Sequence, residues 1–202
     1  MTQPESAKLF QVTNQHTPMP VVVLASGTGT LLQAIINAQG EHYTVTGVVT
    51  DQECEAVARA VTAGIPARTI ALAQCTSREQ WNVKLAEAVA EFQPQLVISA
   101  GFMKILGAPF LQRFPGKIIN THPALLPAFP GAHAVRDALA YGVKVTGATV
   151  HIVDEGVDTG PIIAQVPVSV FPEDTEATLH ERIKQQERTL IVSVLSNPQL
   201  HP

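Results

Sequence analysis

Short apolar runs alternate with helical segments through the first half of this chain. Four runs rich in β-branched residues occupy positions 21–25, 45–50, 66–71 and 95–100, and a segment with helical spacing follows each one. Such alternation is typical of βα units, which assemble into a parallel sheet with helices on both faces. Continuous apolar character in run 95–100 indicates a strand buried on both faces. We therefore predict an α/β fold with a doubly wound, mostly parallel, Rossmann-like sheet.

The second half predicts a different end to that sheet. A fifth strand should stop near Thr121, because Pro123 lacks the N–H that a strand ladder needs. Segments 145–153 and 162–170 are predicted strands joined by a tight acidic loop, so they should pair as a hairpin-like antiparallel end. A long C-terminal helix is predicted over 174–197, capped by Asp174 or Thr175.

Composition favours one globular domain. A chain of 202 residues, 46% hydrophobic and 15% charged, can bury a sizeable core and is too apolar to be disordered as a whole. Residues 1–18 are polar, contain two prolines and show no periodicity. We predict that they form a mobile leader before a single domain at 19–202.

Net charge bears on the possible binding partners, and cysteine content bears on the cellular compartment. The net charge of −4, without any run of Lys or Arg, argues against nucleic-acid binding. Cys54 and Cys75 form no CxxC motif and no signal peptide precedes them, which favours a reducing cytoplasm. The apolar runs are too short to span a membrane.

A glycine-rich turn follows the first predicted strand. Residues 26–30 read SGTGT and lead into a helical segment, an arrangement that aims backbone N–H groups at an anion. Leu32 stands where a dinucleotide fingerprint has its third glycine, and the Gly-Lys-Ser/Thr of a P-loop is absent. The turn is therefore either a phosphate cradle or a structural turn.

Asn120 and His122 stand at the end of the fifth predicted strand. Two residues apart, they should leave the strand on the same face, at the edge where ligand sites of such sheets gather. An amide donor and an imidazole suit a reaction that develops an oxyanion and moves protons. The alternative is that Asn120 caps the turn and His122 is a hydrogen-bonded loop residue. Asp158, in the acidic loop, is the carboxylate that best fits against His122, where it would favour the imidazolium.

Three further features have both a structural and a functional interpretation. The apolar segment 102–106 follows a strand end, so it is either core or the floor of a pocket for a flat heterocycle. Arg78, near a helix start, is a surface cation or a ligand contact. Lys184 and Glu187 are either an exposed ion pair or part of a site.

With these residues in view, the chain resembles the phosphoribosylglycinamide formyltransferases, over about residues 21–197. The resemblance rests on four segments in the order and spacing of that family: 25–29 (ASGTG), 100–106 (AGFMKIL), 120–131 (NTHPALLPAFPG) and 154–161 (DEGVDTGP). It implies transfer of a formyl group from 10-formyltetrahydrofolate to the amine of glycinamide ribonucleotide in purine biosynthesis. It also implies small-molecule substrates, a monomer or homodimer, and no metal.

The resemblance also implies roles for individual residues. The catalytic residues are Asn120, His122 and Asp158. Contacts to glycinamide ribonucleotide fall on Gly27, Thr28, Gly29, Thr30, Leu31, Lys184 and Glu187. Contacts to the folate fall on Arg78, Met103, Lys104, Ile105, Leu106, Asn120, Asp154, Glu155 and Val157. One departure stands out: many relatives have Asn where this chain has Leu31, so a side-chain contact to phosphate is missing.

Three other functions compete with this one. A 10-formyltetrahydrofolate hydrolase has a similar catalytic domain behind an additional N-terminal domain, for which the polar leader leaves no room. Methionyl-tRNA formyltransferase shares the Asn-x-His-Pro core, but needs a further C-terminal domain and a more basic surface. A non-catalytic nucleotide-binding or dinucleotide-dependent protein fits the glycine turn but leaves Asn120, His122 and Asp158 unexplained.

Overall fold

The structure, a computed structural model, describes residues 17–197 and 199. Within them, seven strands form one sheet and six α-helices pack on it. The strands are β1 (Met19–Ala25), β2 (Tyr43–Thr50), β3 (Ala67–Thr69), β4 (Leu96–Ser99), β5 (Ile118–His122), β6 (Val145–Ile152) and β7 (Ile162–Ser169). The helices are α1 (Thr30–Ala38), α2 (Glu55–Thr62), α3 (Arg78–Ala90), α4 (Ala108–Arg113), α5 (Ala134–Tyr141) and α6 (Glu176–Leu195), with a 3₁₀ turn at Leu72–Gln74.

The sheet has the order β3-β2-β1-β4-β5-β6-β7. Strands β1 to β5 are parallel to one another, while β6 is antiparallel to both β5 and β7. The predicted doubly wound sheet with an antiparallel C-terminal pair and a long last helix is thus confirmed. The chain reverses its direction of winding between β1 and β4, and ligands of such sheets bind outside the carboxyl ends of the strands at this point.

Apolar side chains fill both faces of the sheet. On one face, Leu32 and Ile35 of α1, Ala56 of α2, and Ile191 and Val194 of α6 pack in one buried cluster. On the other, helices α3 and α4 bury a second cluster that includes Trp81, Leu85 and Phe110. The central strands are therefore covered on both sides, which is why they carry continuous apolar runs.

Side chains cap two of the helices. The Ser77 hydroxyl accepts a hydrogen bond from the Gln80 N–H at the start of α3, at 3.1 Å. At the start of α6, Thr175 forms a capping box with Thr178, so of the two predicted candidates Thr175 is the cap. Asp174 instead pairs with Arg182 at 2.7 Å. Each cap satisfies backbone N–H groups that the helix itself leaves unpaired.

Most of the predicted leader, residues 1–16, lies outside the described residues, so its mobility and the domain boundary at 19 stay predictions. The described part contains no helix long and apolar enough to cross a membrane.

Candidate active site

His122 is the last residue of β5 and is buried, with 3% of its surface exposed. Alternation along the strand places it on the same face as Asn120 and Ile118, which packs with α3 and α4. Ile119 belongs to the cluster on the opposite face, so Thr121 points towards α6. As predicted, Asn120 and His122 leave the strand together.

Asp158 closes the acidic loop over His122. Its Oδ2 lies 3.2 Å from His122 Nδ1 and accepts a hydrogen bond from the Gly131 N–H at 2.8 Å. The backbone of Asp158 has φ +56°, a left-handed conformation that is uncommon outside glycine. Such conformations persist only where surrounding contacts impose them, often at functional sites. The predicted contact between Asp158 and His122 is present.

His151 joins this cluster, although the sequence did not single it out. It lies opposite Asn120 in the antiparallel β5–β6 register and is 2% exposed. Its Nε2 is 3.3 Å from the Asn120 Nδ2 and 3.5 Å from Asp158 Oδ1. A histidine within an apolar strand was the available signal, but only the strand register shows what it touches.

Two backbone carbonyls determine where the ring protons lie. His122 Nε2 is 2.8 Å from the Phe129 carbonyl oxygen, and His151 Nδ1 is 2.9 Å from that of Ile152. Because a carbonyl oxygen only accepts, both nitrogens carry protons. His151 Nε2 faces both Asn120 Nδ2 and Asp158 Oδ1: with a proton it donates to the carboxylate, and without one it accepts from one Asn120 amide N–H. In either case Asn120 keeps an N–H for a ligand.

Burial and the nearby Asp158 carboxylate change the pKa of His122 in opposite directions. Burial lowers the pKa of His122 below its ordinary 6.5, against the opposing effect of the Asp158 carboxylate. The pKa of Asp158 is itself lowered, chiefly by a hydrogen bond to His151. The carboxylate therefore favours imidazolium, as expected, but does not by itself keep His122 charged. The ring is poised to take up a proton when further negative charge develops nearby.

The glycine-rich turn ends in the first turn of α1. Gly29 is the N-cap, has φ +68°, and offers no side chain to satisfy the helix N–H groups. A Cβ at Gly29 would lie 2.9 Å from Ala56 Cα, so only glycine fits there. Gly27, Thr28 and Thr30 are exposed. Among the described residues no acceptor pairs with the N–H groups of this turn, so it presents donors at a positive helix end, as an anion site requires.

Hydrogen bonds to side chains fix the backbone of segment 102–106, which forms an apolar surface at the carboxyl end of β4. Ser26 Oγ accepts from the Met103 N–H at 2.8 Å, and Arg78 donates to the Ile105 carbonyl at 2.9 Å. Met103 and Ile105 nevertheless expose 77% and 65% of their surface, while Leu106 is buried in the core. Exposed side chains on a fixed backbone suit a flat apolar ligand.

Lys104 in this segment pairs with Asp51 at 3.6 Å. Asp51 directly follows β2 and is 6% exposed. Because Lys104 remains partly exposed, it can also face a ligand. Arg78 stacks above Trp81 at 5.8 Å as well as holding Ile105, so it is not simply a solvated surface cation.

The three carboxylates of the acidic loop make different contacts. Asp154 accepts hydrogen bonds from the Gly156 N–H and the Thr159 hydroxyl, which fixes the loop from within. Glu155 is exposed, and Val157 exposes 50% of its surface beside a pocket of about 240 Å³ that Asp158 also lines. Only Asp158 reaches the histidines.

Glu187 and Lys184 are not an exposed ion pair. Glu187 on α6 is 9% exposed and faces Thr121, the residue between Asn120 and His122, whose side chain acts to lower the pKa of Glu187. Burial raises the pKa of Glu187 to about 7, and Lys184, which is partly buried, opposes this rise. Glu187 thus reaches the β5 edge from the α6 side of the sheet, opposite the histidines.

Comparison with known proteins agrees with this arrangement. A sequence profile of the formyl transferase family matches residues 19–195. Phosphoribosylglycinamide formyltransferase of Mycobacterium tuberculosis is 56% identical over 181 residues, covering 89% of this chain and 84% of that protein. The trifunctional purine biosynthetic protein adenosine-3 of Homo sapiens is 42% identical over 179 residues, covering 87% of this chain and 18% of that protein.

A solved structure extends the likeness to three dimensions. The crystal structure of glycinamide ribonucleotide transformylase 1 from Symbiobacterium toebii superimposes with a TM-score of 0.85 at 40% sequence identity, covering 89% of this chain and 86% of that one. The profile and the relatives each match most of the chain. The chain therefore belongs to the formyl transferase family, among the phosphoribosylglycinamide formyltransferases.

Proposed function

We propose that this protein transfers the formyl group of 10-formyltetrahydrofolate to the primary amine of N1-(5-phospho-D-ribosyl)glycinamide, a step of purine biosynthesis. The observation that carries the proposal is the cluster of Asn120, buried His122 and Asp158. It lies at the carboxyl edge of the sheet, where the glycine turn and the apolar segment 102–106 also end. A binding module would need no such cluster.

The two faces of the sheet suit two different ligands. The glycine turn and Glu187 both belong to elements on the α1 and α6 side, where a phosphate and an amine can each find a partner. The apolar segment 102–106, Arg78 and Val157 suit the pteridine and its anionic tail. The reacting amine and formyl group would then meet across the end of β5.

The side chains match the charges of this reaction. As the neutral amine attacks the formyl carbon, negative charge develops on the formyl oxygen. The free Asn120 N–H donates a hydrogen bond to that oxygen. The two nitrogens of the His122 ring face Asp158 and the Phe129 carbonyl, so the ring stabilises the oxygen through its positive charge. Because the new charge raises the pKa of His122, the ring becomes imidazolium as the intermediate forms, and Asp158 stabilises it.

The proton balance needs no other reactant. The amine nitrogen forms a bond to the formyl carbon and gives up one proton, while the bond from that carbon to the folate nitrogen breaks. The folate nitrogen then takes up one proton as tetrahydrofolate leaves. This is a single proton: a water bound at Asp158 passes it from the amine to His122 as the intermediate forms, and on to the folate nitrogen as the intermediate collapses.

A folate-absorbance assay with and without glycinamide ribonucleotide tests this proposal. We expect deformylation only when the nucleotide is present, and its loss in His122→Ala. Deformylation without the nucleotide would instead identify a 10-formyltetrahydrofolate hydrolase. Absence of any reaction, with nucleotide binding retained, would identify a binding protein.

A further inference from the structure

Each backbone carbonyl of the glycine turn, from Ser26 to Gly29, accepts a hydrogen bond from another part of the protein. Gln52 Nε2 donates to the Ser26 carbonyl at 2.6 Å, the Ala56 N–H to that of Gly27 at 3.2 Å, and Arg59 Nε to that of Thr28 at 2.7 Å. The next carbonyl, that of Gly29, accepts from the Gln33 N–H within α1 at 2.9 Å. Three consecutive carbonyls therefore point towards α2 and the turn that leads into it.

This pattern determines where the N–H groups of the turn point. In a trans peptide the N–H of each residue points away from the preceding carbonyl. With the carbonyls of residues 26–28 directed at α2, the N–H groups of Gly27, Thr28 and Gly29 face the opposite side. Successive N–H groups that face one side form an anion-binding concavity. The Gln52 side chain, the Ala56 N–H and the Arg59 side chain thus stabilise the conformation in which the turn can hold a phosphate.

Arg59 is the charged member of this support. Beyond its bond to Thr28, its Nη1 donates to Gln33 Oε1 at 3.2 Å, and its Nη2 lies 4.0 Å from Glu55 at the start of α2. Its guanidinium therefore connects the turn, α1 and α2. Segment 26–33 contains no charged residue, so Arg59 brings a positive charge to a turn that has none. Its side chain is 32% exposed, and the Glu55 carboxylate is too far away for a hydrogen bond that would neutralise the guanidinium directly.

Close packing makes this contact specific. A Cβ at Gly29 would lie 2.9 Å from Ala56 Cβ and 3.2 Å from Arg59 Cδ, so α2 lies directly against the turn. Movement of Arg59 would release the Thr28 carbonyl and let the peptide planes of the turn rotate. Removal of Arg59 would also weaken the attraction between the turn and a phosphate, because a phosphate ester is a dianion near neutral pH.

We propose that Arg59 is a positioning residue for the phosphate of the nucleotide substrate: it fixes the N–H groups of the glycine turn and adds positive charge behind them. This role compensates for the absence of a polar side chain at Leu31. It rests on the proposed function, because it assumes that the turn binds the phosphate. It assigns no chemistry to Arg59, which acts through the turn.

The test is steady-state kinetics of Arg59→Ala, Arg59→Lys and Arg68→Ala, with inorganic phosphate as a competitive inhibitor. Losing one charge-assisted hydrogen bond should raise the KM for the nucleotide and the inhibition constant of phosphate about tenfold in Arg59→Ala. The kcat should stay within about twofold and the KM for the formyl donor unchanged. Arg59→Lys keeps the charge but not the planar donor, so it should recover part of the loss.

Arg68→Ala is the matched control, because Arg68 is another partly exposed arginine, paired with Glu91 on the β3 side. It should match the unmodified enzyme. An unchanged nucleotide KM in Arg59→Ala would overturn the role of Arg59. So would equal losses in kcat and both KM values with a lowered Tm, since these indicate a structural residue. Failure of phosphate to inhibit the unmodified enzyme would overturn the phosphate site itself, a separate failure that the transfer assay would not show.

Discussion

At the scale of single residues, the site depends on a histidine whose charge is finely balanced. His122 is buried, which disfavours imidazolium, and contacts Asp158, which favours it. If His122 were already imidazolium before substrate bound, its pKa would be high, and it would release its proton slowly when the intermediate collapses. Lowering that pKa lets the ring gain a proton as the oxyanion forms and lose it as the intermediate collapses.

Replacing Asp158 by Asn should lower the pKa of His122 further. The carboxylate is the largest factor that raises this pKa, so its removal leaves burial less opposed. Titration of the ring resonances of His122 by NMR measures the change, with Asp137→Asn as a control that removes an exposed carboxylate. An equal or higher pKa in Asp158→Asn would show that the two side chains are not electrostatically coupled.

Some residue-level contacts could be predicted and others could not. The pairing of Asp158 with His122 followed from the position of a carboxylate in a tight loop. The contact of His151 with Asn120 did not, because it depends on the antiparallel register of β5 and β6, which the hydrophobic pattern leaves open. The support of the glycine turn by Gln52 and Arg59 likewise depends on the packing of α2.

At the scale of elements, helix α6 places the side chain of Glu187 in a buried position, where ionisation destabilises the folded protein. Burial raises the pKa of Glu187 from 4.5 to about 7, so the folded state retains a proton that the unfolded chain releases. The free energy of unfolding therefore falls as the pH rises through this window, and ionised Glu187 costs about 3 kcal/mol above it. An enzyme keeps such a group where a ligand can use it.

Glu187→Gln should remove that pH dependence. Thermal unfolding of the variant should change less between about pH 5 and about pH 8 than that of the unmodified protein, because Gln does not titrate. The KM for the nucleotide should rise in the same variant if Glu187 holds the amine. Glu181→Gln, on an exposed part of α6, serves as the control. Parallel pH profiles for all three proteins would contradict the assignment of a raised pKa to Glu187.

The start of α1 permits a gain-of-binding test. Leu31 packs partly against the core and contributes only its backbone N–H to the turn. Leu31→Asn should lower the nucleotide KM about threefold through an added hydrogen bond, and should lower the Tm because apolar burial is lost. Kinetics and calorimetry on one preparation measure both effects. An unchanged KM would show that the backbone and Arg59 already satisfy the phosphate.

At the scale of the whole molecule, most of the fold followed from the sequence. Apolar runs separated by helices predicted β1 to β4, and the Gly-Val-Asp-Thr-Gly loop predicted the antiparallel pair β6 and β7. The strand order and the antiparallel β5–β6 pairing did not follow, since neither is encoded by local pattern. The binding roles of the individual residues, the cytoplasmic location and the choice between monomer and homodimer stay predictions.

The central claim is that Asn120, His122 and Asp158 perform chemistry between two bound ligands. The single-turnover rate of Asp158→Asn, with both substrates saturating and their dissociation constants measured separately, tests it most directly. We expect the rate to fall by about a thousandfold or more while both dissociation constants stay within about threefold. A rate loss that matches a loss of affinity for the nucleotide or the folate would show instead that Asp158 binds substrate and does not take part in the transfer.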